Sequence, residues 1–145
     1  MVGRKKRYAL ADTAQQLVGG FLLAGPFVVT EEVWVLANEM AWYHVLLTLV
    51  IIFGIGYGAL YKADDDRDPD REVDVVGIPV RFVSLMSVAF GSVLLLALAF
   101  NAPLTFAENI GVATDARTLA LLTVKATAVG AIFSVVGAAT ADSVF

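Results

Sequence analysis

The chain has no cysteine and a single histidine, His44. The first absence excludes disulfides, thiol nucleophiles and thiolate-held zinc or iron–sulfur centres. The second excludes an all-histidine metal site within one subunit, and no metal or other cofactor is expected. Charge is also scarce. Only 17% of the 145 residues are charged, and they gather at the start of the chain, over 62–81 and at a few isolated points. With a net charge of −4 there is no basic surface for nucleic acid. The sequence carries no Walker loop, GxSxG, HExxH or Rossmann fingerprint. No nucleophile–base pair stands out either, so the chain is not expected to be an enzyme; a lipid-directed membrane enzyme is the weakest of the functional options.

What is present is apolar. Hydrophobic residues make up 59% of the chain, against ~45–50% in a soluble domain, and the mean hydropathy is +0.78. Long apolar stretches divided by charged islands mark a membrane protein, because lipid cannot solvate charge. Residues 1–145 read as one all-α, polytopic membrane domain with four transmembrane helices, at about 17–37, 42–61, 82–100 and 119–139. The first is the ambiguous one. Its clean apolar core, 17–29, is short of the ~20 residues a span needs. It must extend backwards through Asp12, Gln15 and Gln16, or forwards through Glu31 and Glu32. The forward extension is preferred, which leaves 1–16 as a cytoplasmic and interfacial start.

Orientation follows from the basic residues. Arg4, Lys5, Lys6 and Arg7 precede the first span, and Lys62, Arg67, Arg71 and Arg81 lie between the second and third. On the other side only Arg117 is found. The asymmetry places both termini and the 62–81 loop in the cytoplasm of a multi-pass cell-membrane protein. Trp42 and Tyr43 then belong to an outer aromatic belt, and His44 to the interface beside them. The acidic loop 62–81 resembles an Asp-rich calcium loop only in composition. It lacks the glycine of the sharp turn and carries Pro69, so it reads as a solvated segment that could dock a cytoplasmic partner.

The four spans could be two tandem helical hairpins. Gly25-Pro26 with Glu31, and Ala102-Pro103 with Glu108, share a small-Pro start and a glutamate five residues after the proline. Glu108 and Asn109 thereby join the polar candidates. Gly25 and Pro26 should bend the first span, because Pro26 removes a backbone donor. Thr30 is placed to bond back to the Pro26 carbonyl.

The main chemical candidates are ionisable groups inside spans. Glu31 and Glu32 lie roughly 10 Å from the outer end of the first span, and Lys125 roughly 12 Å into the fourth, at ~1.5 Å per residue. Matched depth makes a carboxylate–lysine pair plausible, serving either an ion pathway or a structural ion pair; alternatively Lys125 snorkels outward. For packing, Gly54 and Gly58 on the second span form a close-contact motif. The four-residue spacing of Ala126, Gly130, Ser134 and Ala138 on the fourth offers a matching face.

Around Pro26, Thr30, Glu32 and Trp34 the sequence resembles a group of prokaryotic integral membrane proteins of unknown function, which carry a proline, an apolar stretch and Thr-x-Glu-x-Trp in the first span. The resemblance implies that Glu32 rather than Glu31 is that group's acid, and it implies no activity. The acidic loop and the pI of about 4.8 resemble haloarchaeal proteins. Two functions are expected to compete. One is a homo-oligomeric channel or transporter for a small ion, built on the intramembrane carboxylates and Lys125. The other is a non-transporting scaffold or accessory subunit whose buried charges are structural.

Overall fold

The computed structural model describes residues 10–62 and 74–144. The basic cluster at 4–7 and most of the acidic loop lie outside the described residues. The architecture is helical apart from one small hairpin. Helix α1 (Leu10–Val28) is followed by a short α2 (Glu31–Glu39), then α3 (Trp42–Tyr57), which passes into a π-helical turn at Gly58–Lys62. Strands β1 (Asp74–Val75) and β2 (Ile78–Pro79) pair antiparallel around Val76-Gly77. Helix α4 (Val80–Ala99), a second short helix α5 (Ala102–Ile110) and the long α6 (Ala116–Val144) complete the chain.

Among the described residues three helical segments are long and apolar enough to cross a membrane: Trp42–Tyr61, Val80–Ala99 and Ala116–Val144. A fourth is reached if α1 and α2 count as one span, but they are bent by 81°. Helix α1 therefore does not run forward through Glu31 and Glu32. It extends backward through Asp12 and Gln16 and stops at Val28. The bend has local causes. Pro26 has no N–H to donate, and the Thr30 hydroxyl donates to the Pro26 carbonyl at 2.6 Å. The buried Trp34 indole then donates to the Val28 carbonyl at 3.0 Å, tying α2 back against the end of α1. A similar corner joins α4 to α5, where Asn101 adopts a left-handed conformation (φ 55°) that asparagine tolerates better than most residues.

The succession of a long helix, a nine-residue helix and another long helix thus occurs twice. The proline match that pointed to a repeat does not align these units, since Pro26 lies in the last turn of α1 and Pro103 in the first turn of α5.

Helix α6 is the central element, with α1 and α4 packed against it. The core has two apolar clusters. One joins Ala24, Trp34, Val93 and Ala126 towards the short helices. The other joins Ile52, Leu60, Leu85 and Val135 towards the chain ends. Phe27 stacks on Phe133 at 3.7 Å between ring centroids. Beside the second cluster α1 and α6 meet backbone to backbone: a Cβ on Gly19 would land on the Gly137 carbonyl, and one on Gly137 on the Gly19 carbonyl. Small residues allow that approach.

The two sets of small residues singled out for packing are placed differently. Ala126, Gly130, Ser134 and Ala138 are all buried on α6. Their partners are α1 and α4, with Gly130 against Val93 and Ser134 against Gly20. A Cβ on Gly54 or Gly58 would meet no other part of the protein within 4 Å. The glycine of α3 that makes contact is Gly56, against Leu85, Met86 and Val135.

Candidate functional site

The densest polar constellation lies where the start of α1, the start of α4 and the end of α6 converge. Arg81, in the first turn of α4, is only 8% exposed. Its Nη1 donates to Asp142 Oδ1 at 2.6 Å and its Nη2 to Asp12 Oδ2 at 3.2 Å. Gln16 is completely buried and donates through Nε2 to Asp142 Oδ2 at 3.1 Å. Ser84 donates to Gln16 Oε1 at 2.7 Å, and Thr13 lies 3.2 Å from the Ser84 hydroxyl. One guanidinium thus holds carboxylates from two other helices, and an amide and a hydroxyl occupy further hydrogen-bonding positions. Charged pairs of this kind survive burial only when their geometry is good and their remaining lone pairs are satisfied. Nearer the middle of the bundle, Ser92 and Ser134 are 2.7 Å apart, and Ser134 donates to the Gly20 carbonyl at 3.1 Å.

This constellation was not among the expected sites. Arg81 read as a loop charge, Asp12 and Gln16 as obstacles to a span, and Asp142 drew no notice. The available signal was the coincidence of a lone aspartate at the end of the fourth span with an arginine opening the third.

The expected ionic site is arranged differently. Glu31 and Glu32 are exposed on the first turn of α2, because the bend takes α2 out of line with α1. There the carboxylates meet the favourable end of the helix dipole. Lys125 pairs with neither. Its Nζ donates to the Met40 carbonyl at 2.7 Å and sits 4.9 Å from the centre of the Trp42 ring. The lysine therefore snorkels to the α2–α3 junction, where a cation also complements the carbonyl end of α2. Glu108 and Asn109 are exposed on α5. Thr30 caps the bend rather than a pathway, and Gly25 has only Leu96 Cδ1 near it, at 4.0 Å. His44 accepts from the Ala41 N–H through Nδ1 at 2.9 Å and lies 4.1 Å, ring to ring, from Tyr43.

Ahead of α6, Asp115 accepts from the Thr118 N–H at 3.1 Å and from its hydroxyl at 2.6 Å. These bonds hold its carboxyl below the usual aspartate range. Among the described residues no group of three or more His, Asp or Glu side chains could hold a metal ion.

The chain matches no protein-family model, no curated protein and no solved structure.

Proposed function

We propose that the protein is a four-span membrane scaffold or accessory subunit that does not itself conduct ions, with its termini and the 62–81 segment in the cytoplasm. The observation that carries this reading is the internal pairing of the bundle's charges: Arg81 is closed on Asp12 and Asp142 rather than lining a passage. The hollows at Leu22, at Leu98 and at Leu49 are apolar surface features. Glu31 and Glu32 lie outside the bundle, and the reach of Lys125 is taken up by Met40.

A fourth span is supported by α1 itself. Its 19 residues extend ~28 Å, close to the ~30 Å of a bilayer core. Its first turns look too polar for lipid, but Asp12 and Gln16 face partners inside the bundle. Helices α2 and α5 then cap the outer end. The basic asymmetry supports the orientation. The 62–81 segment is the surface proposed for a cytoplasmic partner.

The ion-pathway reading survives in one form, a path between subunits of a homo-oligomer. It is favoured by the open face of α3, where Gly54 and Gly58 are uncovered. Reconstitution separates the two. Proteoliposomes should show no flux of Na+, K+, H+ or Cl− above protein-free vesicles. A flux lowered by Glu32→Gln or Lys125→Met would overturn the scaffold reading.

A further inference from the structure

A hollow of about 450 Å³ lies between α4, α5 and α6, lined by residues that include Leu94, Leu98, Leu104, Ala120 and Val124. A second, of about 190 Å³, lies between α3, α4 and α6. The two share Leu94, Thr123 and Val124, so they adjoin in a crevice along α6 from Leu119 to Ala128, ~13 Å at ~1.5 Å per residue. At its deep end is Thr127, whose Oγ1 is buried without a hydrogen-bond partner. Its walls are mostly aliphatic and aromatic, with Thr123, Thr127 and Asn101 as the polar members. Asn101 lines the mouth, is exposed, and spends its side chain on no cap hydrogen bond. Arg117 is exposed three residues before Ala120 and seven before Val124, on the same face of α6. Glu108 is exposed four residues after Leu104, on the same face of α5. The other nearby acid, Asp115, is engaged by Thr118.

A mostly apolar slot lined by one neutral amide, with an exposed cation on the α6 face beside it and an exposed carboxylate on the α5 face beside it, matches an amphiphile whose head carries both signs of charge. We propose that the crevice binds one acyl chain of a zwitterionic phospholipid, in the leaflet that meets α5. The phosphate is held by Arg117 and Asn101, and the primary ammonium by Glu108. The site rests on the membrane-embedded reading given above. The outer acids Glu31, Glu32 and Glu39 disfavour a purely anionic head at this end, which sharpens the choice.

The test is native mass spectrometry of the protein released from nanodiscs containing equal amounts of phosphatidylethanolamine and phosphatidylglycerol of the same chain length. The wild type should retain one phosphatidylethanolamine, with roughly a tenfold preference over phosphatidylglycerol. Ala120→Phe should fill the slot from an exposed position and abolish retention. Glu108→Gln should cut the preference several-fold, and Arg117→Gln should lower retention of both lipids, each leaving the protein folded by circular dichroism. Equal retention of the two lipids by the wild type, or retention unchanged by Ala120→Phe, would overturn the site and leave the membrane reading standing. Failure of the folded protein to enter a bilayer at all would overturn both.

Discussion

Asp142 and Lys125 stand on the same helix, ~25 Å apart at ~1.5 Å per residue, and their charges are handled in different ways. Asp142 is 4% exposed, and its carboxylate is fixed by Arg81 from α4 and Gln16 from α1. Lys125 is half-buried and uses its stem to leave the bundle, ending on a backbone carbonyl and an aromatic face at the α2–α3 junction. A short carboxylate cannot snorkel, so its partner must be brought to it, and three helices are locked together in doing so. A lysine can reach its own solution. A single charge therefore acts as a clamp near one end of α6 and as a tether nearer the other.

Removing the clamp should have the largest effect. Asp142→Asn removes the closer and more deeply buried of the two carboxylates on Arg81, and breaking a buried pair costs about 3 kcal/mol or more. Unfolding with sodium dodecyl sulfate would measure it. Arg81→Met should cost at least as much, since it takes the guanidinium from both Asp12 and Asp142. If Asp142→Asn cost no more than removal of the Lys125 charge, the two ends would not differ and the clamp would be an incidental contact. Next in size is the seam beside it. Gly137→Ala would drive a methyl group into the Gly19 backbone, and overpacking of this kind costs ~1–3 kcal/mol. Gly54→Ala should be neutral or stabilising by up to ~1 kcal/mol, because nothing opposes its Cβ and alanine is the better helix former. A reversed order in the same unfolding assay would put the close helix contact back on Gly54.

Much of this was legible in the sequence at the level of single helices and little of it at the level of pairs. The apolar runs at 42–61 and 82–100 correspond to α3 with its π turn and to α4. The fourth run ends later than expected, because Thr140, Asp142 and Ser143 continue the helix once Asp142 has its partner. The first helix starts earlier and stops sooner than the first run, at Leu10 and Val28, for the same reason. Hydropathy counts Asp12 and Gln16 as costs, and only the fold shows that Arg81 and Ser84 offset them. Their partners lie 65 to 126 residues away in sequence, beyond any local pattern. Helix α5 was missed altogether, although Pro103 in its first turn and Gly111 at its end (φ 77°) are the usual start and stop signals.

The smallest predicted effect tests the tether. Lys125→Met keeps most of the apolar stem and removes the ammonium, so it deletes the bond to Met40 and the contact with Trp42. A cation at a helix C-terminus contributes ~0.3–1 kcal/mol, and an exposed cation–π contact ~0.5–1 kcal/mol. The loss should therefore be about 1 kcal/mol, well below that of Asp142→Asn. Of the two tryptophans, Trp34 is buried and Trp42 is exposed, so the fluorescence change should come from Trp42 and vanish in a Trp42→Phe background. Lys125→Arg should restore most of the stability, because a guanidinium can reach the same carbonyl and stack on the same ring. An ion pair with Glu31 or Glu32 would behave otherwise. Glu31→Gln and Glu32→Gln would then lower stability as Lys125→Met does and lose that effect in its presence. With Lys125 on Met40, both glutamine variants should leave stability nearly unchanged.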